Sequence, residues 1–139
     1  QNVTMKLCGK PCTVYADRQL MEELLYNLCD NAIRYNNRGG SVTVTVDEKD
    51  GHVFLSIRDT GIGIPTEHQD RVFERFYRVD KSRSKATGGT GLGLAIVKHI
   101  VAQHGASISL ESQAGKGTEI RVEFSDVLKR QMEERAENA

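Results

Sequence analysis

Two glycine-rich segments with a cationic stretch between them are the residues of this sequence best suited to bind a ligand. Residues 59–65 (DTGIGIP) and 88–94 (GGTGLGL) together hold six of the 13 glycines. Glycine allows the backbone to adopt φ > 0 and to approach another group closely. The pattern predicts a loop that closes over a phosphate-bearing ligand, because cations attract anions. The cations between the two segments are Arg71, Arg75, Arg78, Lys81, Arg83 and Lys85.

Asp59 is the acid of the first glycine-rich segment and ends an alternating apolar pattern typical of a strand. An ionised carboxylate accepts hydrogen bonds and donates none, so at the floor of a cleft it would suit an exocyclic amine such as that of adenine. Gly61 and Gly63 would let the backbone lie close to a flat ring. Aspartate also commonly initiates turns, and the short pattern Asp-x-Gly-x-Gly leaves that alternative open.

Asn27 and Asn31 lie four residues apart, which puts both amides on one face of a predicted helix. Mg²⁺ prefers oxygen ligands and keeps waters and substrate phosphates in its octahedron, so one or two amide oxygens would suit it. Arg34 and Tyr35 follow one turn later and would reach the same phosphates. The alternative is that the two amides are solvated or act as caps.

The second glycine-rich segment, residues 88–94, runs directly into a predicted helix. Unpaired N–H groups at a helix start bind anions with support from the helix dipole, so the segment is a predicted phosphate site. It lacks the Gly-Lys-Ser/Thr of a P-loop, and no strand directly precedes it as in a dinucleotide-binding fingerprint. Residues 115–118 (GKGT) resemble a phosphate loop, but a hairpin turn is the prediction for them.

The overall composition indicates one globular domain. The 139 residues carry no net charge, and no apolar run approaches the ~20 residues of a membrane helix. A neutral chain gives no general reason to expect nucleic acid as a partner. The sparse cysteines, Cys8, Cys12 and Cys29, suggest neither a disulfide framework nor a zinc site. Because the sequence begins at Gln1, we expect a domain of a longer protein.

Hydrophobic periodicity predicts an alternation of strands and helices. Strands are predicted at residues 3–7, 13–15, 41–47, 52–58, 107–111 and 118–124. Helices are predicted at residues 17–35, 66–76 and 92–104, the second with a capping box and the third with Gly105 as its stop. Sequence-adjacent strands would form hairpins. The predicted fold is an α/β two-layer sandwich, with a mixed, largely antiparallel sheet covered on one face by helices. The first helix would bury Leu20, Leu24, Leu25, Leu28, Ala32 and Ile33.

Four motifs occur in one order that resembles a known family. Residues 27–35 (NLCDNAIRY) resemble an N box, 59–64 (DTGIGI) a G1 box, 73–78 (FERFYR) an F box and 89–94 (GTGLGL) a G2 box. The set is similar to the catalytic, ATP-binding domain of sensor histidine kinases. Their wider relatives are type II topoisomerases, mismatch-repair ATPases and heat-shock chaperone ATPases. The resemblance covers residues 3–125, with a departure at residues 36–38, where many members have a Thr-Pro turn.

The resemblance implies the Bergerat fold for residues 1–125, with an ATP lid at about residues 61–91 and a polar tail at residues 126–139. The implied cofactors are ATP and Mg²⁺, with Asn31 as the main metal ligand and Asn27 assisting. Asp59 would bind the adenine amine, and Thr118 would lie near the adenine. The other implied nucleotide contacts are Arg34, Tyr35, Gly61, Gly63, Ile64, Tyr77, Arg78, Lys81, Gly89, Thr90, Gly91, Leu92, Gly93 and Leu94.

The implied reaction transfers the γ-phosphate of ATP to a histidine on a separate dimerisation domain, for relay to a response regulator. No catalytic residue is predicted within this fragment, because none of its histidines has a phosphoacceptor context such as His-Glu/Asp-x-x-x-Pro. They are His52, His68, His99 and His104. The related ATPases place a glutamate where Asn27 stands. A neutral amide is a poor general base, which predicts very slow hydrolysis.

The implied partners are the dimerisation helices of the same protein and a response regulator, and no nucleic acid. Phe73, Phe76 and Tyr77 are candidate docking residues. We expect the isolated domain to be monomeric and cytoplasmic, within a homodimeric parent anchored in the bacterial cell membrane. Two alternatives stay open: a related ATP-driven clamp or anti-sigma-type serine kinase, and a non-catalytic interaction module.

Overall fold

The computed structural model describes residues 3–12, 14, 16–75 and 93–124, which form one five-stranded sheet with helices on one face. No helix within these residues has the length and apolarity needed to cross a membrane. In chain order the elements are β1 (Thr4–Gly9), α1 (Arg18–Arg34), β2 (Ser41–Lys49), β3 (His52–Asp59), α2 (Thr66–Gln69), α3 (Gly93–Gln103), β4 (Ser107–Gln113) and β5 (Gly117–Phe124).

The strands lie in the order β1-β2-β3-β5-β4. β1 and β2 are parallel, whereas the other three neighbouring pairs are antiparallel. The parallel pair is reached through α1, since parallel neighbours need a crossover rather than a tight turn. The predicted fold class, a mixed and largely antiparallel sheet in an α/β sandwich, is therefore confirmed. The strand predicted at residues 13–15 falls mostly outside the described residues.

The core lies between one face of the sheet and the helices α1 and α3. Leu24 and Leu28 of α1 are 1% exposed, and Val97 of α3 is fully buried against the same sheet face. Burying a leucine side chain stabilises the fold by about 1.5–3 kcal/mol. The prediction that α1 buries Leu25 is wrong, because this residue is 38% exposed. Leu25 lies about 100° around the helix from Leu24, outside the line that faces the sheet.

The ends of α1 and α3 are joined by side chains. Asp17 is the N-cap of α1, as predicted, and its Oδ1 accepts the N–H of Leu20 at 3.0 Å. His104 follows α3, and its Nε2 accepts the backbone N–H of Asp17 at 3.2 Å. Its Nδ1 therefore carries the proton and donates to the carbonyl of Ile100 at 2.8 Å. Gly105, with φ 62°, ends the helix as predicted.

The two hairpin turns follow from residues that accept positive φ. Asp50 has φ 54° and Gly51 has φ 80°, and they connect Lys49 to its partner His52. Two positive φ values in a two-residue loop define the turn that matches strand twist. The turn between β4 and β5 contains Gly115 with φ 83°. Residues 115–118 thus belong to a hairpin, as predicted.

The helix predicted at residues 66–76 is wrong in its length. α2 ends after four residues, Thr66–Gln69, and the chain continues as turns to residue 75. The predicted capping box is also wrong, because Pro65 is the N-cap and makes no side-chain cap hydrogen bond. Gln69, the last residue of that box, donates from Nε2 to the carbonyl oxygens of Ile64 at 2.9 Å and Ser112 at 3.1 Å.

β1 is the edge strand of the sheet and leaves its apolar side chains exposed. Met5 is 50% exposed and Leu7 is 83% exposed, although their alternation with polar residues is typical of a strand with one buried face. Val3, just before the strand, packs partly against the core. The pattern therefore identifies the strand but does not predict its burial.

Candidate functional site

The candidate site lies at one end of the sheet, where β3 ends and β5 begins. Asp59 and Thr118 are paired across these strands, and their side chains share the face that carries Ile57 and Ile120. The backbone N–H of Thr118 donates to Asp59 Oδ1 at 3.2 Å, and that of Gly61 donates to the same oxygen at 2.9 Å. Among the described residues, Asp59 Oδ2 accepts no hydrogen bond. That oxygen is available to a ligand.

Opposing effects act on the ionisation of Asp59, which is half buried. Burial raises the pKa of its carboxyl group above the ordinary value, because desolvation disfavours the charged form. The backbone N–H groups of Gly61 and Thr118 oppose that rise, but the pKa stays raised because desolvation is the larger effect. Above this pKa, the carboxylate offers an acceptor that would pair with a ligand donor such as an amine.

Only glycine fits at positions 61 and 63, because other parts of the backbone lie too close to leave room for a β-carbon. A β-carbon on Gly61 would collide with the carbonyl oxygen of Tyr35, at the end of α1. A β-carbon on Gly63, whose φ is 70°, would collide with the carbonyl oxygen of Gln113, at the end of β4. Their spacing in the sequence predicts contact with a ligand. The described contacts are with the chain itself.

The loop after β3 is hydrogen-bonded on both sides. On one side, the N–H of Ile62 donates to the carbonyl of Tyr35 at 3.0 Å. On the other side, the N–H of Gly115 donates to the carbonyl of Ile62 at 2.7 Å, and the N–H of Ile64 donates to Ser112 Oγ at 2.7 Å. The loop is thus held between the end of α1 and the hairpin formed by β4 and β5.

Ser112 is a site residue that the sequence analysis missed. Besides accepting from Ile64, its Oγ donates to the carbonyl of Gly117 at 3.1 Å. The same atom lies 2.7 Å from Thr118 Oγ1. Ser112 therefore connects the loop after β3 to the residue that hydrogen-bonds Asp59.

A signal for Ser112 is present in the sequence. Ile108, Leu110 and Ser112 alternate along β4, so the serine stands on an otherwise apolar face. A polar side chain on such a face needs hydrogen-bond partners nearby. Here the partners come from β5 and from the loop after β3, which the period-two pattern alone does not reveal.

The two predicted metal ligands lie on the same side of α1. Asn27 Nδ2 donates to the carbonyl of Glu23 at 2.8 Å, and a β-carbon on Gly93 would lie 3.3 Å from Asn27 Oδ1. The Asn27 oxygen thus lies near the first residue of α3. Asn31 is half buried, and its side-chain amide makes no hydrogen bond to the described residues. The described part of the chain contains no cluster of three acidic, histidine or cysteine side chains that could hold a metal. The amide oxygens of Asn27 and Asn31 are suited to a cation that also takes oxygens from a ligand.

Arg34 and Tyr35 end α1 beside this loop. Arg34 Nε lies 2.7 Å from Asp30 Oδ2, in an ion pair whose side chains are about one-third exposed. The hydrogen bond to Asp30 raises the pKa of Arg34, so the guanidinium is charged at any ordinary pH. The N–H of Tyr35 donates to the carbonyl of Asn31 at 3.2 Å. A phosphate near Arg34 would share the guanidinium with Asp30.

The other predicted site residues fall into two groups. Ile64, Gly93 and Leu94 are described: Ile64 lies in the loop after β3, Gly93 begins α3, and Leu94 packs against the core. Phe73 is partly buried. The predicted residues outside the described part of the chain are Phe76, Tyr77, Arg78, Lys81, Gly89, Thr90, Gly91, Leu92 and the tail at 126–139.

Asn36 is a second residue whose role the sequence analysis missed. It is fully buried, and its Nδ2 donates to the carbonyl of Ser41 at 2.9 Å. Its Oδ1 accepts the N–H of Asn37 at 2.8 Å and the hydroxyl of Thr60 at 3.3 Å. Asn36 therefore joins the end of α1 to the start of β2 and to the loop after β3. Nothing in the sequence distinguishes it from the exposed Asn37.

Comparison with protein families gives one match over most of the chain. The model described as "Histidine kinase-, DNA gyrase B-, and HSP90-like ATPase" matches residues 16–127. Sensor histidine kinase YkoH of Bacillus subtilis is 46% identical over 113 residues, which cover 81% of this chain and 24% of that protein. Sensor-like histidine kinase SenX3 of Mycolicibacterium smegmatis is 50% identical over 105 residues, covering 76% and 27%. The chain thus spans about a quarter of the length of these curated relatives.

Solved structures with the same fold cover a similar share of the chain. The mycobacterial sensor histidine kinase MprB superposes with a TM-score of 0.77 at 33% identity, over 88% of this chain and 81% of that one. Full-length ShkA in complex with AMPPNP superposes with a TM-score of 0.73 at 31% identity, over 88% and 25%.

Proposed function

This chain belongs to the family of histidine kinase-, DNA gyrase B- and HSP90-like ATPases, and we propose that it is the ATP-binding catalytic domain of a sensor histidine kinase. One observation carries the proposal: Asp59 Oδ1 is held by two backbone N–H groups, and no described residue donates to Oδ2. A fixed, acceptor-only group at the end of a strand is suited to recognise a base that presents an amine.

Base recognition is assigned to Asp59, with Thr118 beside it. Hydrogen bonds to a charged acceptor are stronger than those between neutral groups, so the carboxylate supplies the main selectivity for adenine. Thr118 is only 8% exposed and lies next to the carboxylate through its own N–H. The AMPPNP bound to full-length ShkA supports an adenine nucleotide as the ligand class.

The amide oxygens of α1 fit Mg²⁺ as part of an incomplete coordination shell. The amide of Asn31 makes no hydrogen bond within the described residues, and Asn27 Oδ1 lies near the start of α3. Mg²⁺ favours oxygen ligands and is commonly held by few protein groups together with substrate phosphates. Asn31 is therefore the proposed main ligand, with Asn27 assisting. When bound, the ion would neutralise charge on the phosphates.

Phosphate binding is assigned to the segment that leads into α3 and to the end of α1. Gly93 begins a helix of 11 residues, and the first N–H groups of such a helix favour an anion. Gly89, Thr90, Gly91 and Leu92 stand directly before it in the sequence. Arg34 carries a positive charge near the same end of the fold. Contacts from Tyr77, Arg78 and Lys81 belong to the same proposal.

The proposed reaction is transfer of the γ-phosphoryl group to a histidine outside this chain. Phosphoryl transfer depends mainly on positioning and on charge neutralisation, which this site would supply, while the nucleophile comes from a separate helical dimerisation domain. Phe73, Phe76 and Tyr77 are proposed to dock on that domain. A response regulator would then receive the phosphoryl group. The complete protein is proposed to be a homodimer anchored in a bacterial membrane.

Slow hydrolysis of ATP is part of the proposal. Activation of water needs a general base within hydrogen-bond reach of it. Asn27 occupies the position one turn before Asn31, and its amide is engaged with the carbonyl of Glu23. An amide accepts no proton at ordinary pH, so the bound nucleotide persists until an acceptor histidine arrives. Hydrolysis at several turnovers per second would favour an ATP-driven clamp instead.

Calorimetry and phosphotransfer test the proposal in sequence. The chain is titrated with ADP and Mg²⁺, then mixed with labelled ATP and a separately produced dimerisation domain that carries the acceptor histidine. We expect ADP to bind and the acceptor to gain an acid-labile phosphate. Folded protein that binds no ADP would contradict the proposal at its first step. Binding without transfer, using an acceptor competent with its own kinase, would contradict the kinase assignment alone.

A further inference from the structure

The edge strand β1 presents backbone hydrogen-bonding groups on its outer side. The N–H groups of Thr4 and Lys10 donate to carbonyl groups in and next to β2, at 3.0 and 2.9 Å. Successive residues of a strand point their backbone groups to opposite sides, so those of Met5 and Leu7 point away from β2. Within the described residues, β1 has no other strand beside it. These backbone groups are therefore available to an added strand.

The same two residues, Met5 and Leu7, expose apolar side chains on the side of the sheet that carries the helices. They are in register with Val42 and Val44 of β2, whose side chains are buried in the core on that side. The helices leave the edge open, since α1 packs on β2 and β3 and α3 packs on β4. An apolar strand face thus continues beyond the helices.

A leucine of α1 adds to this exposed apolar face. Leu25 lies about 160° around the helix axis from Asn27, whose side-chain oxygen lies near the start of α3. Because α3 lies toward β4, Leu25 is on the flank of α1 toward β1. Met5, Leu7 and Leu25 are three of the four large apolar side chains that are exposed in the described part of the chain.

The opposite face of β1 carries a positive charge without an acidic neighbour. Lys6 stands between Thr4 and Cys8 on that face, in register with an uncharged residue of β2. It makes no ion pair with the described residues, whereas Lys10 lies 3.8 Å from Asp47. A strand added at this edge would place a side chain directly beside Lys6. A carboxylate there would gain a favourable cross-strand pair.

The strand at the other edge of the sheet has no such surface. Ile108 and Leu110 of β4 pack against the core, and the exposed residues of that strand are all polar. They are Ser107, Ser109, Glu111 and Gln113. The exposed apolar face is thus a feature of β1 and not of both edges.

We propose that the free edge of β1 is a docking site for an extended segment of a different protein, in which an acidic residue stands between two apolar residues. The segment continues the sheet by hydrogen-bonding to the backbone of Met5 and Leu7, a common mode of peptide recognition. Its apolar side chains cover Met5, Leu7 and Leu25, and its carboxylate lies beside Lys6.

Two other occupants fit this edge less well. A second copy of β1 brings no acid to Lys6, because residues 4–9 (TMKLCG) contain none. The tail of this chain, residues 126–139, contains no acidic residue between two apolar residues. Charge complementarity therefore favours a segment of another sequence.

Two fluorescently labelled peptides test the charge preference by anisotropy: Thr-Thr-Val-Glu-Val-Thr-Thr and the same sequence with lysine in place of glutamate. We expect the chain to bind the glutamate peptide about fivefold more tightly, the effect of one cross-strand charge pair. Lys6→Glu should reverse this preference. Lys98→Glu, which changes an exposed lysine of α3, is the matched control and should keep it. Equal binding of the two peptides, or binding of neither, would overturn the proposal.

Two variants of Leu7 separate the backbone from the side chain. Leu7→Pro removes an outward N–H that β2 does not use, so the strand should remain paired while peptide binding is lost. Leu7→Thr keeps the N–H and removes the apolar side chain, and it should weaken binding about fivefold. Circular dichroism shows whether each variant is folded. Undiminished peptide binding in either folded variant would refute docking at this edge.

Analytical ultracentrifugation tests the second copy as the occupant. We expect the unmodified chain and Leu7→Pro to sediment alike as monomers. A dimer that Leu7→Pro abolishes would assign the edge to another copy of this chain and overturn the proposal. None of these measurements depends on nucleotide binding, so their outcome is independent of the proposed function.

Discussion

Thr118 donates its backbone N–H to Asp59 Oδ1 at 3.2 Å, although 59 residues separate the two in the sequence. The N–H of Gly61 donates to the same oxygen, so one end of the carboxylate is fixed by the backbone on both sides. The other oxygen, Oδ2, is consequently held in a single orientation. The proposed recognition of a ligand amine would therefore depend on the pairing of β3 with β5.

Asp59→Asn should weaken ADP binding about tenfold to a hundredfold. The two N–H donors at Oδ1 would retain the amide oxygen, so the amide nitrogen would take the position of Oδ2. That nitrogen is a donor and would face the donor of the base. Calorimetry measures the change. Asp50→Asn, in the turn between β2 and β3, is the control, because asparagine accepts the φ of 54° found there. Normal ADP affinity in folded Asp59→Asn would contradict the assignment.

The raised pKa of Asp59 predicts that its contribution to stability depends on pH, and Asp59→Asn serves as the reference. The pKa of Asp59 is raised in the folded state above its unfolded value of 3.8, so its protonation favours folding. This contribution is fully present below pH 3.8 and is lost as pH rises through the raised pKa. The free energy of unfolding of the unmodified chain, minus that of Asp59→Asn, should therefore fall as the pH rises from below 3.8 through the raised pKa of the folded state. Urea unfolding at a series of pH values measures it. A difference that rises with pH would indicate a lowered pKa.

Asn31→Ala should remove most of the effect of Mg²⁺ on ATP affinity. We expect a loss of about tenfold with Mg²⁺ present and little change in chelator, because the amide is assigned to the metal and not to the base. Calorimetry in both conditions gives the comparison. Gln19→Ala deletes an exposed amide at the start of the same helix and should change neither value. Equal losses with and without Mg²⁺ would contradict the role of Asn31 as a metal ligand.

Gly63→Ala should destabilise the chain more than Gly115→Ala. Both glycines have positive φ, 70° and 83°, so both substitutions introduce backbone strain of about 1 kcal/mol. A β-carbon on Gly115 would meet nothing within 4 Å, whereas one on Gly63 would collide with the Gln113 carbonyl. We therefore expect a loss of more than about 3 kcal/mol for Gly63→Ala in urea unfolding. Equal losses would mean that the loop and hairpin can separate without cost.

Asn36→Ala should lower the free energy of unfolding by about 2–3 kcal/mol. The substitution removes the hydrogen bonds that the buried Asn36 side chain makes to the carbonyl of Ser41 and to the N–H of Asn37, and it leaves a void at a fully buried position. Asn37→Ala is the matched control, because that amide is exposed and makes one hydrogen bond of 3.2 Å to Thr60. The free energy of unfolding should fall by less than about 1 kcal/mol in Asn37→Ala. Comparable falls in the free energy of unfolding of the two variants would show that burial of Asn36 does not increase its contribution to stability.

The elements that the sequence predicts well are those whose burial repeats with a regular period. α1 has its N-cap at Asp17 and its buried line at Leu24 and Leu28, and both features depend on nearby residues alone. The turn at Asp50 and Gly51 likewise needs only local φ preferences. The position of β5 between β3 and β4 is different, since it depends on pairing between distant strands. No local sequence pattern determines which strand of the β4–β5 hairpin pairs with β3.

The site divides in the same way. Asp59 and Asn31 could be proposed as site residues from residue type, spacing and place along a strand or helix. Ser112 is visible as a polar residue on an apolar strand face, but the hydrogen-bond partners of Ser112 and Asn36 are not, because they are distant in the chain. The predicted length of α2 was wrong for a related reason. The Gln69 side chain hydrogen-bonds to Ile64 and Ser112 rather than to the start of its own helix. Local capping preference was overridden by tertiary contacts.

The strand order also has a consequence for synthesis of the chain. β3 receives its second neighbour only when β5 emerges, and until then one edge of the growing sheet presents unpaired backbone groups. The 59 residues from Thr60 to Thr118 take about 3–12 seconds to translate at about 5–20 residues per second. During that interval a neighbouring nascent chain can add its own strand at the open edge. Crowded polysomes are therefore where aggregation of this protein is expected to begin.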